Sequence, residues 1–186
     1  MQVNTKGYWE NENVEEGHFD DCKLIYHLID FLKNEKAESI VDFGCGNGYY
    51  VKKMREAGLN ADGFDGNPNT PAITENTCGV FDLSVPKQFD PYDWVISFEV
   101  GEHLPKEFED SFITNLHLNN RKGIVLSWAV IGQGGTGHYN EQDNDYVKSK
   151  ICELGYLNDI KSENFLRKNS ELPWFKNTIM VFRKQN

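Results

Sequence analysis

The amino-acid sequence predicts an α/β fold, with a mostly parallel sheet that carries helices on both faces. Short and almost continuously apolar segments alternate with amphipathic helical segments along the chain, which is the order of a strand–helix–strand protein. The apolar segments have no polar face, so both faces of the sheet must be covered. Several of these segments end in an acidic residue, at the edge where such sheets bind ligands.

The elements of the first half follow from spacing and from turn residues. Leucines and isoleucines between 24 and 32 recur at helical spacing, which predicts a helix over 18–34. The segment SIVDFG, 39–44, is predicted to be a buried strand that enters a glycine-rich loop. A helix follows and ends near Gly58, because glycine commonly terminates helices. Further strands are predicted at 61–65, 77–82 and 92–99.

The second half is predicted with the same reasoning. Pro105 begins a helix whose apolar residues include Phe108, Phe112 and Leu116, since proline suits the first helical position. The remaining predicted elements are a strand at 123–130, a helix at 140–154 and a last strand at 178–183. The tail before the last strand alternates without a clear period, and Trp128 and Trp174 are interpreted as core residues.

Composition limits the class of protein. The chain has 186 residues, of which 39% are hydrophobic and 13% aromatic, as in a globular domain. No apolar run approaches the ~18 residues of a membrane span, and the first residues lack a basic-then-apolar signal pattern. We therefore expect one cytoplasmic domain over 1–186. Four cysteines are scattered without a CxxC pair, which favours reduced thiols over a zinc or disulfide framework.

The charge balance bears on partners. Lysine and arginine total 19 against 29 aspartate and glutamate, a formal net charge of −10. An acidic surface repels a phosphate backbone, so a nucleic-acid partner would need a local basic patch. The best candidate patch is sparse and consists of Lys161, Arg167, Lys168, Lys176, Arg183 and Lys184. We expect a small-molecule partner rather than nucleic acid or a membrane, and the oligomeric state stays open.

The loop after the first predicted strand reads Gly44-Cys45-Gly46-Asn47-Gly48. Glycine loses much backbone freedom on folding, so three within five positions indicate a close approach to the backbone. A nicotinamide fingerprint, GxGxxG, would require glycine at position 49, which is Tyr49. This residue argues against a dehydrogenase. A tight turn without a ligand is the structural alternative.

With Asp42 before it, the loop resembles motif I of class I S-adenosylmethionine-dependent methyltransferases. The resemblance covers roughly 38–130 and implies a Rossmann-like, seven-stranded, mostly parallel sheet that binds S-adenosylmethionine. It further implies that Gly44, Cys45 and Gly46 lie against the methionine half of the cofactor. Asp42 would then interact with the cationic end of the cofactor, directly or through water.

Two further strand ends match the same family. Asp65 ends the second strand, 21 residues after Gly44, where the resemblance implies that a carboxylate, beside Gly66, binds the ribose hydroxyls. Asp82 and Leu83 follow the third strand, where the family contacts adenine. Each aspartate has a structural alternative, because FDGNP is typical of a turn and Asp82 would equally suit a cap.

The segment FEVGEHLP, 98–105, resembles the ExxEH segment of ubiquinone-biosynthesis O-methyltransferases and small-RNA 2′-O-methyltransferases. The resemblance implies that Glu102 and His103 are catalytic. In one interpretation Glu99, Glu102, His103 and His138 bind Mg²⁺ or Mn²⁺, which would activate the acceptor hydroxyl. In the other, which we favour, His103 is a metal-free base or a structural histidine, and Glu99 faces the cofactor.

Variable segments are expected to flank a cofactor-binding half at 38–130. Residues 1–37 form a lid and helix segment in which Tyr8, Trp9 and His18 would close the pocket, although for Trp9 we favour a core-covering role. Residues 131–186 contain the glycine-rich loop 131–140, which is either a substrate loop or an ordinary connection.

The favoured hypothesis is an enzyme that O-methylates a small molecule or sugar with S-adenosylmethionine. Two alternatives stay open. One is a metal-dependent RNA 2′-O-methyltransferase, which the net charge opposes, and the other is a non-catalytic S-adenosylmethionine-binding regulatory protein. The sequence does not identify the methyl acceptor, because acceptor pockets are built from the variable segments.

Overall fold

The computed structural model describes residues 4–10 and 19–185. Their sheet has seven strands: β1 Ile40–Phe43, β2 Ala61–Asp65, β3 Gly79–Val80, β4 Tyr92–Ser97, β5 Asn120–Leu126, β6 Tyr156–Asn158 and β7 Met180–Lys184. The helices are α1 Leu24–Asn34, α2 Tyr49–Glu56, α3 Thr70–Ile73, α4 Glu109–Leu118, α5 Asn144–Cys152, α6 Ile160–Lys168 and α7 Phe175–Thr178.

The order of the strands explains where a ligand can bind. Across the sheet they run β3-β2-β1-β4-β5-β7-β6, and only β7 is antiparallel to its neighbours. The chain moves outward from β1 to β3 and then crosses to β4 on the other side of β1. The loops after β1 and β4 therefore adjoin at the switch point, where open parallel sheets form their ligand crevice. The predicted fold class is confirmed.

The core lies in two layers, one on each face of the sheet. Ile40, Ile96 and Val125 pack with residues of α1, α2 and α6, whereas Val41, Val95 and Ile124 pack with residues of α4 and α5. Neighbouring strand residues alternate between these layers because successive side chains point to opposite faces. All of these strand residues are fully buried, and each such burial stabilises the fold by about 1.5–3 kcal/mol.

The predicted start of the first helix at residue 18 is wrong. α1 begins at Leu24, where the Asp21 carboxylate satisfies backbone N–H groups that have no partner within the helix. Its Oδ1 accepts from Leu24 N at 2.8 Å, and its Oδ2 accepts from Glu171 N at 2.7 Å. Asp21 thus caps the helix and joins it to the distant tail.

Other elements have different bounds from those predicted, and some observed elements were not predicted. β3 has only two residues, β5 runs over Asn120–Leu126 rather than 123–130, and α5 is shorter than 140–154. A 3₁₀ turn, Lys106–Phe108, precedes α4. β6 and α6 were not predicted, since Leu166 is the sole buried hydrophobic residue of α6 and its pattern is correspondingly weak.

Among the described residues, no helix combines the length and apolar character that crossing a membrane requires.

Candidate active site

A cavity of about 430 Å³ opens at the carboxyl edge of the sheet, beside the ends of β1, β2 and β4. This volume is in the usual range for small-molecule sites. Every predicted cofactor or metal residue except Glu102 lines it: Asp42, Gly44, Cys45, Gly46, Asp65, Gly66, Asp82, Leu83, Glu99, His103 and His138. The sequence pattern therefore identified residues that meet at one cavity.

The glycine loop depends on backbone angles that glycine alone adopts readily. Gly44, Gly46 and Gly48 have φ values of 83°, 52° and 75°, in the left-handed region. Gly44 N donates to Phe64 O at 2.7 Å, and a Cβ at Gly44 would collide with the Val100 side chain. The loop is thus held between β2 and the segment that follows β4.

Asp42 lies beneath this loop and is 2% exposed. Burial raises the pKa of its carboxyl well above the usual range, and nearby Cys78, Asp65 and Asp20 raise it further. A cationic ligand in the cavity would favour the ionised carboxylate, because an opposite charge lowers such a pKa.

Asp65 organises the loop as well as facing the cavity. Its Oδ2 accepts from Gly46 N at 2.9 Å, and its Oδ1 accepts from Asn67 N at 2.9 Å. A carboxylate has about four acceptor positions, so these bonds leave capacity for a ribose hydroxyl. Beside it, Gly66 is pressed against Tyr8, since a Cβ there would lie 2.6 Å from Tyr8 Cβ.

Asp82 is engaged by the N-terminal residues. Lys6 Nζ lies 2.6 Å from its Oδ2, and Ser84 N donates to its Oδ1 at 2.9 Å. Burial alone would raise the pKa of Asp82, but the bonds from Lys6 and Ser84 lower it overall. Asp82 therefore caps a turn, as the structural alternative predicted, and also lines the cavity.

Residues 4–10, which we term the N-terminal strap, pass over the cavity. Gly7 has φ 93° and lies so close to the His103 carbonyl that a Cβ would collide with it. The Trp9 ring meets the His103 ring edge-on, with centroids 5.8 Å apart. Trp9 lines the cavity, which supports the pocket-closing interpretation over the core-covering role favoured for it. His18 lies outside the described residues.

Glu99 follows β4 in a strained conformation. Its φ is 52°, and non-glycine residues held in this region concentrate at functional sites. The carboxylate accepts from Gln133 Nε2 at 2.6 Å and from Thr178 Oγ1 at 3.3 Å. Burial raises its pKa, although the bonds from Ser127, Gln133 and Thr178 oppose this.

Glu102 is fully buried behind the cavity wall. Neither carboxylate oxygen has a hydrogen-bond partner among the described residues. Burial raises its pKa well above the usual range, and the nearby charge of Glu99 adds to this effect. The nearby backbone N–H groups of Glu102 and Ala129, which fall short of hydrogen-bond geometry, oppose it only in part. Buried carboxylates are costly unless they are paired, so an unpartnered Glu102 indicates either a protonated acid or a ligand for a cation.

Two histidines meet beside Glu102. His103 Nδ1 lies 3.1 Å from Gly137 O, and His138 Nδ1 lies 3.0 Å from Glu141 Oε1. Carbonyl and carboxylate oxygens only accept hydrogen bonds, so both Nδ1 atoms carry a proton, and in the neutral form of each ring Nε2 is the basic nitrogen. The bond to His138 is also the main reason that the pKa of Glu141 is lowered.

These three side chains form a group that could hold a metal ion. One donor atom from each of Glu102, His103 and His138 lies within 4.8 Å of the others, and the imidazole centroids are 4.9 Å apart. Glu99, which was expected to be a fourth ligand, lies outside this group. Imidazoles whose Nδ1 is anchored to an oxygen are typical of metal sites.

An aromatic wall, defined by Phe19, Phe98, Trp174 and Phe175, completes the cavity. Phe19 meets Trp174 with ring centroids 5.8 Å apart, and Phe98 meets Phe175 at 5.4 Å. Sequence reasoning assigned no function to Phe19, Phe98 or Phe175 and interpreted Trp174 as core, because aromatic residues near strand ends look like packing residues. No local signal separates the two roles.

Comparison with known proteins identifies the class. A family model described as "Methyltransferase domain" matches residues 17–118. The fold is similar to that of magnesium protoporphyrin IX methyltransferase from Synechocystis with bound SAH, with a TM-score of 0.66, 17% identity, and coverage of 87% of this chain and 82% of that one. This chain belongs to the methyltransferase-domain family, among the class I S-adenosylmethionine-dependent methyltransferases.

Two curated relatives are named for activity on tRNA. "Probable tRNA (uracil-O(2)-)-methyltransferase" of Caenorhabditis elegans is 32% identical over 63 residues, covering 32% of this chain and 11% of the relative. The "tRNA (carboxymethyluridine(34)-5-O)-methyltransferase ALKBH8" of Macaca fascicularis is 26% identical over 166 residues, covering 82% of this chain and 24% of the relative. The chain therefore spans a minor part of the length of either protein.

Proposed function

We propose that this chain transfers the methyl group of S-adenosylmethionine to a hydroxyl of a small molecule or sugar, beside His103. The observation that carries the proposal is the anchored His103 ring, which lines the cavity with Nδ1 held by the Gly137 carbonyl. A hydroxyl is a weak nucleophile until a base accepts its proton. His103 Nε2 is suited to that role.

The residues of the cavity fit a cationic adenosyl cofactor. S-adenosylmethionine supplies the electrophilic methyl group when bound. Asp42 would neutralise its cationic end, and Asp65 would accept hydrogen bonds from the ribose hydroxyls. Leu83 and the strap residues near Asp82 would enclose the adenine. The N-terminal strap and the aromatic wall exclude water from the reacting end, which strengthens electrostatic interactions there.

The acceptor side favours a neutral or cationic small molecule with an apolar or planar body. The four side chains of the aromatic wall line the cavity together with Tyr8, Trp9 and Tyr50, and Asp20 and Glu99 lie among the same lining residues. Lys6, the one lysine in that lining, is already paired with Asp82 at 2.6 Å. An anionic acceptor would meet carboxylates without an unpaired lysine or arginine among the described lining residues.

A metal-assisted version is the second candidate, and the unpartnered Glu102 favours it. Glu102, His103 and His138 would be its ligands, and the metal would lower the pKa of the acceptor hydroxyl. Two imidazoles with one carboxylate suit Mn²⁺ better than Mg²⁺, which prefers oxygen ligands. Glu99 keeps its bonds to Gln133 and Thr178 in this version.

Two measurements test the proposal. S-adenosylhomocysteine should raise the melting temperature and NAD should not, since a ligand at a hundredfold excess over Kd stabilises by ~2.7 kcal/mol. An acceptor screen with labelled methyl donor should then yield a substrate on which His103→Ala lowers turnover by ~10²–10⁴-fold. Stabilisation by NAD alone would refute the cofactor assignment.

Chelation separates the two versions of the chemistry. If a metal is required, EDTA should abolish turnover, Mn²⁺ should restore it, and His138→Ala should imitate EDTA. If His103 acts without metal, EDTA should leave turnover unchanged. Full turnover by both His103→Ala and Glu102→Ala would remove this group from the reaction, and cofactor binding without any acceptor would favour a regulatory protein.

A further inference from the structure

Glu141 lies directly after the glycine-rich loop 131–140, and the proposed reaction assigns it no role. Its Oε2 accepts from Gly132 N at 2.7 Å, and its Oε1 accepts from Gly134 N at 2.7 Å. The same Oε1 lies 3.0 Å from His138 Nδ1. One carboxylate therefore holds two backbone turns of the loop and the imidazole at its end.

The backbone around His138 is fixed separately, from the side of Glu102. Tyr139 N and Asn140 N both donate to Glu102 O, at 2.8 and 2.9 Å. Asn140 in turn donates to Glu109 Oε2 at 2.9 Å and accepts from Trp128 Nε1 at 2.7 Å. These bonds set the position of the chain but not the rotation or tautomer of the His138 ring.

We propose that Glu141 is a positioning residue, which fixes His138 with Nδ1 protonated and Nε2 directed toward Glu102 and His103. The role rests on the proposed function, because it matters for catalysis only if this histidine pair serves the reaction. A carboxylate cannot donate, so the proton must lie on Nδ1, and the charge-assisted bond is stronger than a neutral one. The ring packs over Gly135, where a Cβ would collide with it, so few other orientations are available.

The test compares Glu141→Ala and Glu141→Gln with the wild type. The control is Glu153→Gln, which removes an exposed carboxylate bonded to Ser149 in the same part of the chain. Imidazole ¹⁵N spectra at pH 8 with EDTA report the tautomer, and His138→Ala assigns the signal. In the wild type and the Glu153 variant, His138 should carry its proton on Nδ1. Glu141→Ala should shift it toward Nε2, and Glu141→Gln should shift it less because an acceptor oxygen remains.

A second readout connects the tautomer to the site. Changing a group that orients a ligating or reacting histidine costs ~10–100-fold in metal affinity or activity. Glu141→Ala should therefore lower turnover, or Mn²⁺ affinity by electron paramagnetic resonance, by that factor, with Glu141→Gln intermediate. The KM for S-adenosylmethionine should change less than turnover, because Glu141 itself does not line the cavity, although loop residues that it holds do.

The outcomes separate this inference from the proposed function. If the His138 proton stays on Nδ1 in both Glu141 variants, Glu141 does not position the ring, and the inference is wrong. If His138→Ala retains full turnover while Glu141→Ala still shifts the tautomer, the positioning stands and the role of His138 in the reaction fails. If Glu141→Ala does not fold, the His138 tautomer is compared between Glu141→Gln and Glu153→Gln. A shift toward Nε2 in the Glu141 variant alone supports the inference, and no shift in either variant contradicts it.

Discussion

At the scale of single residues, the site depends on carboxylates that the fold keeps from water. Asp42 and Glu102 are 2% and 0% exposed, and burial raises the pKa of both. An ionised carboxylate that is buried without a partner destabilises the fold, and the cost is relieved only when a cation pairs with it or a proton neutralises it. This arrangement suits a site that must bind a cationic cofactor.

Asp42 should make both stability and cofactor binding depend on pH. Between its ordinary pKa and its raised pKa, the folded protein holds a proton that the unfolded chain has lost. Stability therefore falls as pH rises through that interval, by at most ~1.4 kcal/mol per pH unit from one group. Asp42→Asn should lack this contribution and should be more stable than the wild type near neutral pH in the absence of cofactor.

Cofactor binding should remove the proton from the Asp42 carboxyl. S-adenosylhomocysteine, whose ammonium favours the ionised carboxylate, should release protons from the wild type on binding, and Asp42→Asn should release fewer. Calorimetry in buffers of different ionisation enthalpy measures this release. Equal proton release by both proteins would show that Asp42 does not face the cationic end of the ligand.

At the scale of elements, the N-terminal strap contacts both halves of the cavity. Lys6 pairs with Asp82 beyond β3, Tyr8 covers Gly66 beyond β2, and Trp9 meets His103 beyond β4. Gly7 allows this path, because its positive φ and its contact with the His103 carbonyl both exclude a side chain. The strap is thus part of the cavity wall rather than an appendage.

Gly7→Ala should displace the strap and weaken S-adenosylhomocysteine binding by about 5–30-fold, which corresponds to ~1–2 kcal/mol. The matched control is Gly58→Ala, since Gly58 has φ 83° and open space where a Cβ would lie. That variant should lose ~1–2 kcal/mol of stability through backbone strain and keep its affinity. Equal affinity for both variants by calorimetry would exclude the strap from the binding site.

At the scale of the whole molecule, the net charge of −10 and the pairing of its cations oppose nucleic-acid binding. Part of the basic tail is engaged within the fold, because Arg183 pairs with Glu35 at 2.6 Å and Arg167 pairs with Glu163 at 3.2 Å. Lys184 donates to two backbone carbonyls. Two of the six basic residues proposed from the sequence are thus neutralised by carboxylates, whereas Lys161, Lys168 and Lys176 are exposed.

RNA binding should accordingly be weak at near-physiological salt, no tighter than the ~10⁻⁴–10⁻⁶ M of non-specific complexes. A filter-binding titration with tRNA tests this, because two relatives are named for tRNA methylation. Sub-micromolar affinity at that salt would favour an RNA acceptor over a small molecule. A steep loss of affinity with modest salt would instead fit non-specific contact.

The sequence by itself determined the fold class and most of the residues that meet at the cavity. Both depend on local information: apolar runs report buried strands, and Asp42 with the glycines at 44, 46 and 48 reports a tight turn at a strand end. The structure brings these residues to one cavity because parallel strands end at a common edge. The start of α1 and the weakly patterned α6 escaped prediction, since Asp21 bonds the distant tail and α6 has little apolar surface.

The tertiary structure alone decided how the group formed by Glu102, His103 and His138 is arranged. The sequence named Glu102, His103 and His138. The hydrogen bonds that the two imidazoles donate to Gly137 and Glu141 join residues whose pairing no spacing predicts. The burial that leaves Glu102 unpartnered, and the strap that brings Trp9 to His103, likewise arise from packing between distant segments. Local patterns specify which elements form, whereas the protonation and orientation of a side chain depend on whatever neighbours the completed fold supplies.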